Sequence, residues 1–202
     1  MNPIQIAGLI LAGGQARRMN RLDKGLQLLQ QQPLIFHVIN RLSPQVNGHI
    51  WISANRYIEQ YQMLGYPVFQ DRSEYQGCGP LAGIASLIEY LPEQFTHVQI
   101  APCDTPFLPN NMVKQLSQAI QTQAAHAVYP ETTEGAQYSC ALFERMQLHS
   151  AIQSLNNGER SLRTWLTHAD AQAVQGFSAE QFMNINHSSE LDALNQASHT
   201  II

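Results

Sequence analysis

Arg17, Arg18 and, further on, Lys24 follow a glycine pair, Gly13-Gly14, which closes an apolar run from Ile4 to Leu11. Cations beside backbone that carries no side chains suit a polyanion, and a triphosphate is the natural candidate. Without Cβ atoms at Gly13 and Gly14, the backbone N–H groups of Leu11, Ala12, Gly13 and Gly14 can come close to phosphate oxygens. A plain strand-to-loop turn with surface cations would account for a lone Gly-Gly, but not for its spacing from Arg18 and Lys24. Far along the chain, Asp104 sits between Pro102 and Pro106, which stiffen the backbone around it. A carboxylate there suits Mg²⁺, which takes one or two protein carboxylates together with phosphate oxygens and water. Alone, Asp104 would read as a loop Asx turn. Opposite a cationic glycine loop it reads as a metal ligand, and Lys24, Arg18 and Asp104 form the candidate catalytic set.

Other groups fall at related places. Asp71 ends the short apolar pair Val68-Phe69, and is either a solvated loop carboxylate or a ligand contact. Gly79-Pro80-Leu81-Ala82-Gly83 opens a helix, whose free N–H groups attract anions. Gly83 removes a Cβ where a ligand or a strand presses. Ser53-Ala54-Asn55-Arg56 offers side chains able to read a base edge. Asn184-Ile185-Asn186 has period two, which puts both amides on one side of a strand; they face a substrate or cap the next helix.

The elements that must position these groups alternate between strand and helix. Ile4–Leu11 reads as a buried strand bounded by glycines. Pro33 then opens a helix whose Leu34, Ile35, Val38, Ile39 and Leu42 follow helical spacing, and Ser43-Pro44 stops it. His49–Ser53 is a strand, Tyr57–Leu64 a short helix capped by Gly65, and Val68-Phe69 a third strand. A helix from Pro80 buries Leu81, Ile84, Leu87, Ile88 and Leu91. Thr96–Ala101 is a fourth strand, followed by a helix over Met112–Ile120. The second half is less regular. Strands are expected at Ala125–Tyr129, Tyr138–Phe143, Ala171–Val174 and Phe182–Ile185. Helices are expected at Met146–Leu155, at Leu162–Thr167 after Ser161, and after Ser188-Ser189-Glu190. The alternation implies an α/β fold with a mostly parallel central sheet and helices on both faces. Ligands bind beyond the carboxyl ends of such strands. The glycine loop, Asp71 and Asp104 each follow a predicted strand, so one rule gathers them on one edge.

The motif Leu-Ala-Gly-Gly…Arg18-Met19…Asp23-Lys24-Gly25 resembles the signature of nucleotidyltransferases that activate small molecules with a nucleoside triphosphate. Within that group the chain is most similar to the molybdenum cofactor guanylyltransferases. The likeness extends from Leu11 to about Leu194 through Pro-Cys-Asp104-Thr-Pro, Gly79-Pro-Leu-Ala-Gly83, Ser53-Ala-Asn55-Arg, Gly158-Glu-Arg160 and Phe182-Met-Asn184-Ile-Asn186. Ser53 stands where that family tends to have Asn, and His187 where Thr is usual. The resemblance implies a Rossmann-like nucleotidyltransferase fold over one domain, 1–202. Its N-terminal half would bind the nucleotide and its C-terminal half the pterin. GMP would pass from GTP to molybdopterin with Mg²⁺ on Asp104. It implies nucleotide contacts at Leu11, Ala12, Gly13, Gly14, Lys24, Ser53, Asn55, Asp71, Gly79, Gly83 and Asp104, and pterin contacts at Asn184, Asn186 and Arg160. It also implies transient contacts with molybdenum-insertion and molybdoenzyme-maturation proteins. Transfer of CMP, action on a sugar or polyol phosphate, and nucleotide binding without turnover are the alternatives.

Composition narrows the classes. At 202 residues the chain can bury about 70% of its unfolded surface and needs no disulfide framework. It is 44% hydrophobic and 13% charged with a net charge of −4, so a globular domain is expected and a basic nucleic-acid face is not. Cys78, Cys103 and Cys140 are odd in number and widely spaced, which points to free thiols in a reducing cytoplasm. Cys103 has no histidine at a telling distance and reads as a buried thiol. Neither a secretory leader nor a membrane span is expected, and the protein is expected to be a monomer. The histidines lack zinc spacing.

Overall fold

The computed structural model describes residues 4–13 and 23–199, with side chains to residue 196. Gly14, Arg17 and Arg18 therefore lie outside the described residues. Strand β1 (Ile6–Leu11) is central, flanked by β4 (Ile50–Ser53) and β6 (His97–Pro102), and all three run parallel. Beyond β4 lies β5 (Val68–Phe69), also parallel. On the other side β9 (Leu142–Glu144) runs antiparallel to β6 and to β7 (Ala127–Thr132). The edge strand β10 (Gln172–Val174) pairs parallel with β7, and β8 (Gly135–Ala136) folds back on β7 as a short hairpin. A separate small hairpin joins β2 (Leu28–Leu29) to β3 (Gln32–Pro33).

Helices cover both faces, as the alternation predicts. Along β1 the side chains divide by period two. Ile10 packs with Ile35, Val38 and Leu42 of α1 (Leu34–Leu42) and with Met112 and Leu116 of α4 (Met112–Thr122). Ala7 and Leu9 pack on the opposite face with Leu81 and Ile84 of α3 (Pro80–Ser86), Leu148 of α5 (Gln147–Asn156) and Trp165 of α6 (Leu162–His168). Gly8 lets the first layer close on the sheet, because a Cβ there would stand 2.7 Å from Cδ1 of Ile50. A third cluster joins Leu29 and Leu34 to Ile185 and to Leu191 of α7 (Ser188–His199). The remaining helix, α2 (Ile58–Gln62), is short, and Gly65 follows it with φ +81°.

Two expected strands take another form. Phe182 closes a 3₁₀ turn, Ala179–Phe182, entered through a Ser178–Gln181 capping box. The residues after it form no ladder, because the Ile185 N–H donates to the Asp104 carbonyl at 2.9 Å. Within the span expected as Tyr138–Phe143, Tyr138–Cys140 is a 3₁₀ turn and the strand begins at Leu142. Here Gln99 Nε2 bonds the carbonyls of Cys140 and Ala141 at 2.8 and 3.2 Å, holding the turn against β6.

Candidate active site

The sheet register brings the site together. Leu11 lies level with Ser53 on one side and Pro102 on the other, and Ser53 is level with Phe69. The pairing continues just past the strands: Ala12 N bonds Ser53 O at 2.8 Å, Cys103 N bonds Leu11 O at 3.2 Å and Ala54 N bonds Phe69 O at 2.9 Å. Gly13, Asn55, Asp71 and Asp104 therefore emerge along one carboxyl edge, with the start of α3 beside them.

At the centre of this edge Lys24 Nζ lies 3.3 Å from Oδ2 of Asp104. Their side chains are 28% and 14% exposed, so a ligand can reach a pair that is otherwise shielded from water. The same ammonium donates to Asn186 Oδ1 at 2.6 Å. Next to it the Thr105 hydroxyl donates to Asn184 Oδ1. Residues 80 and 162 positions from Lys24 thus meet at one point. The segment is held from behind as well. Glu190 Oε2 accepts from the backbone N–H groups of Asn186 and His187 at 2.7 and 3.1 Å, and these bonds pull its carboxyl below the ordinary range. The Asn184 and Asn186 side chains thus turn to Thr105 and Lys24, while the carboxylate of α7 caps the backbone.

A second constellation surrounds Asp71, which is buried. Asn55 Nδ2 donates to its Oδ2 at 2.6 Å, the Ser53 hydroxyl to its Oδ1 at 3.3 Å, and Asn55 Oδ1 accepts from its backbone N–H at 2.9 Å. Burial raises the Asp71 pKa, and the donors Asn55 and Ser53 counter it. Ser53 and Asn55, expected to read a base edge, both hold Asp71. Serine suffices at 53 because only one donor is needed. Gly83 is required by the strand it packs on. A Cβ there would collide with the Ser53 hydroxyl and stand 3.2 Å from Cδ2 of Leu11. Gly13 sits close to Asn55, whose Nδ2 would be 3.0 Å from an added Cβ.

Gly79 has φ +78°, a conformation glycine tolerates, and turns the chain into α3. An added Cβ would be 3.9 Å from the Arg160 carbonyl, so the Gly158-Glu-Arg160 loop lies against the start of α3. The Arg160 guanidinium donates to the carbonyls of Leu155 and Glu159 at 2.9 and 2.7 Å. The described contacts thus put Arg160 at the Gly79 side of the edge and Asn184 and Asn186 at the Lys24 side, although all three were expected to share a substrate.

Sequence reasoning passed over Asp23 and Tyr61. Asp23 is buried and caps the 3₁₀ turn that begins at Lys24, accepting from Gly25 N at 3.2 Å and from the Tyr61 hydroxyl. Arg56 reaches its other oxygen at 3.9 Å. Burial raises the Asp23 pKa, and Tyr61, Gly25 N–H and Arg56 offset part of that. The signal for Asp23 was its place beside Lys24, whereas Tyr61 looks in sequence like any core aromatic. No group of three or more His, Cys, Asp or Glu is assembled for a metal among the described residues.

Comparison with known proteins agrees with this geometry. Residues 8–174 match the model of the MobA-like NTP transferase domain. The chain belongs to the MobA-like NTP transferases. Among its relatives, the molybdenum cofactor guanylyltransferase of Cupriavidus taiwanensis is 38% identical over 193 residues, covering 93% of this chain and 95% of the relative. That of Pasteurella multocida is 38% identical over 187 residues, covering 91% and 96%. MobA-like and related folds recur among solved structures. Molybdopterin-guanine dinucleotide biosynthesis protein A from Archaeoglobus fulgidus superposes with a TM-score of 0.74 at 18% identity, over 96% of this chain and 100% of that one. The 4-diphosphocytidyl-2C-methyl-D-erythritol synthase from Anaerococcus prevotii gives 0.74 at 11% identity, over 97% and 96%. These distant likenesses carry the Rossmann-like nucleotidyltransferase fold of the MobA-like family.

Proposed function

We propose that this protein transfers GMP from GTP to molybdopterin, giving molybdopterin guanine dinucleotide and pyrophosphate in molybdenum cofactor biosynthesis. The observation that carries the reading is the Lys24–Asp104 pair at the carboxyl edge, with Asn186 on the same ammonium. Cation, carboxylate and neutral amide from three parts of the chain converge where a triphosphate and a second, hydrogen-bonding substrate would meet. The relatives named above support the choice of both substrates.

A phosphate oxygen of molybdopterin attacks the α-phosphorus of GTP. The new P–O bond forms as the α–β bridge breaks, and the electron pair leaves on pyrophosphate. The attacking oxygen is already anionic, so no general base is required. The protein contributes alignment and charge. Lys24 is a compact point charge for phosphate oxygens. The N–H groups after β1 and at the start of α3 complete the cradle, and Arg18 adds a second cation. Asp71, fixed by Ser53 and Asn55, faces the nucleotide end. Asn184 and Asn186 orient the pterin beside Lys24, and Arg160 takes its place from the α3 side. The chain works as one unit, its first half serving the nucleotide and its second the pterin.

Mg²⁺ fits the donor set: Asp104 offers one partly exposed carboxylate, and Mg²⁺ near phosphates commonly takes only one or two. Bound there, it would neutralise charge growing on the phosphates. The three cysteines are free, and no helix among the described residues is long and apolar enough to cross a membrane. We further propose that the protein works in the cytoplasm as a monomer and hands its product to maturation proteins.

Pyrophosphate release should be measured with molybdopterin, Mg²⁺ and each of GTP, CTP and UTP. Turnover that requires both molybdopterin and GTP is the expected result. Preference for CTP, turnover with a sugar phosphate in place of molybdopterin, or GTP binding without turnover would replace the reading.

A further inference from the structure

We infer that Tyr61, a buried side chain on α2, is a positioning residue that fixes the Lys24 ammonium against Asp104. The inference rests on the transfer reading above. Its geometry is independent of that reading. Tyr61 is completely buried, yet its hydroxyl lies at the junction of the two chain segments that carry the reacting pair. On one side the hydroxyl donates to Oδ1 of Asp23, which also accepts from Gly25 N at 3.2 Å. Both bonds converge on one oxygen of the residue that caps the turn Lys24–Leu26, and so fix the start of the turn. On the other side lies the end of β6. An atom added at Gly25 would meet the Tyr61 hydroxyl at 2.6 Å and Sγ of Cys103 at 3.1 Å, so Gly25 is wedged between them. Cys103 immediately precedes Asp104, and its backbone N–H is tied to β1 at 3.2 Å.

The wedge sets how far the Lys24 turn can approach Asp104. A buried tyrosine hydroxyl usually finds a hydrogen-bond partner, and here the partner is the carboxylate that starts the turn. Phenylalanine at 61 would keep the packing and remove the clamp. Asp23 would retain only Gly25 N–H and the more distant Arg56 at 3.9 Å. The turn would then be free to shift, and misplacement of about 1 Å at a catalytic group can cost up to about 10²-fold in rate.

Two measurements test this. The first is a cycle of Tyr61→Phe and Lys24→Ala read on pyrophosphate release. Tyr61→Phe alone should lower kcat by about 10–100-fold and leave KM for GTP nearly unchanged. In the Lys24→Ala background it should lower kcat no further, because the residue acts through the ammonium. The same loss in both backgrounds, or no loss in either, overturns the assignment. The second needs no turnover. The Lys24 ammonium, followed by nitrogen-15 NMR of lysine-labelled protein, should give a resolved, slowly exchanging signal in wild type that Tyr61→Phe abolishes. Asp23→Asn should do the same, which covers the case in which Tyr61→Phe fails to fold. A signal unaffected in both variants would show that Tyr61 only packs. An inactive wild type with the expected NMR result would refute the transfer reading and leave the clamp standing.

Discussion

Two kinds of structure meet at Lys24. From Leu11 to Asp104 the site is carried by parallel strand ends levelled by register: Gly13, Asn55, Asp71 and Asp104 each stand just past a strand, and Lys24 reaches the same edge from a 3₁₀ turn capped by Asp23. From Met183 to His187 it is carried by a stretch that joins no sheet and is pinned by separate bonds: Ile185 N to Asp104 O, Asn186 to Lys24, Asn184 to Thr105, and the N–H groups of Asn186 and His187 to Glu190. The first kind places charge and the second places neutral amides. A charge must be held rigidly where phosphates gather, and a sheet edge shares that load over many backbone bonds. An amide segment held by a few bonds can yield to a second substrate at little cost. The contrast gives each part its own way of failing.

The largest effects belong to the rigid part. Lys24→Ala should lower kcat by roughly 10²–10³-fold if the ammonium meets charge grown in the transition state. Asp104→Asn should leave the fold intact and remove most of the Mg²⁺-dependent turnover. Steady-state rates across a Mg²⁺ titration, with circular dichroism as the control, check both. Wild-type rate and metal dependence in Asp104→Asn would remove this aspartate from the metal site.

Smaller and more divided effects are expected from the irregular part. Asn184 bonds Thr105 and so touches the site one residue from Asp104, whereas Asn186 touches Lys24 itself. Asn184→Ala should therefore weaken use of the pterin while GTP binding stays nearly constant. Asn186→Ala should do the same and also slow transfer by about tenfold, the worth of one charge-assisted hydrogen bond. Calorimetry with GTP and rates at varied molybdopterin separate the two. If Asn184→Ala cost as much GTP affinity as Lys24→Ala, the division into a phosphate side and a pterin side would fail.

The same contrast explains what could be read from the sequence. The first half was legible because period-two and helical patterns there coincide with real layers: Leu34, Ile35, Val38, Ile39 and Leu42 are all buried as their spacing predicts. Asp71 and Asp104 could be gathered on one edge because strands that alternate with helices end on one edge. The stretch expected as strand Phe182–Ile185 failed because its alternation has another cause. Ile185 is buried in a small cluster with Leu29, Leu34 and Leu191, so one apolar residue between two amides imitates a strand. Nothing in the sequence signals that Ser53 and Asn55 turn to Asp71, since that bond joins residues 18 and 16 positions apart across neighbouring strand ends. The bonding of Tyr61 to Asp23 spans 38 positions and is equally silent.

Gly83→Ala tests the sheet side by packing rather than by charge. A mid-helix glycine normally gains up to about 1 kcal/mol on change to alanine. Here the Cβ would collide with the Ser53 hydroxyl and press on Leu11. A net loss of about 1–3 kcal/mol is expected, the usual cost of overpacking. Because Ser53 holds Asp71, KM for GTP should rise while kcat changes less. Urea denaturation and GTP titration give the two numbers. A stabilised Gly83→Ala with unchanged KM would mean that Ser53 can move without disturbing Asp71.

The smallest effect is expected at the thiols, and it separates proximity from participation. Cys103 adjoins Asp104, and its sulfur packs on Gly25, so it is closer to the reacting pair than many residues assigned a role. Its surroundings argue against chemistry. It is 7% exposed, and burial, reinforced by the neighbouring Asp104 and Asp23 carboxylates, holds its pKa well above the ordinary thiol range. A thiol so held stays protonated, and the thiolate is the reactive form. Cys140 is also buried, with its pKa pushed up to about 12, and Cys78 is only partly covered. With an aromatic disulfide reagent, Cys78 should react first, and Cys103 and Cys140 only as the protein unfolds. Cys103→Ala should keep kcat within about threefold of wild type, the change expected when a packing atom rather than a reacting one is lost. The small cavity beside Gly25 would loosen the Lys24 turn slightly, so any loss should appear in kcat and vanish in the Lys24→Ala background. Complete inactivation of a folded Cys103→Ala protein would instead make the sulfur a participant, and the reaction would need a covalent step that the arrangement of Lys24, Asp104 and Asn186 does not call for.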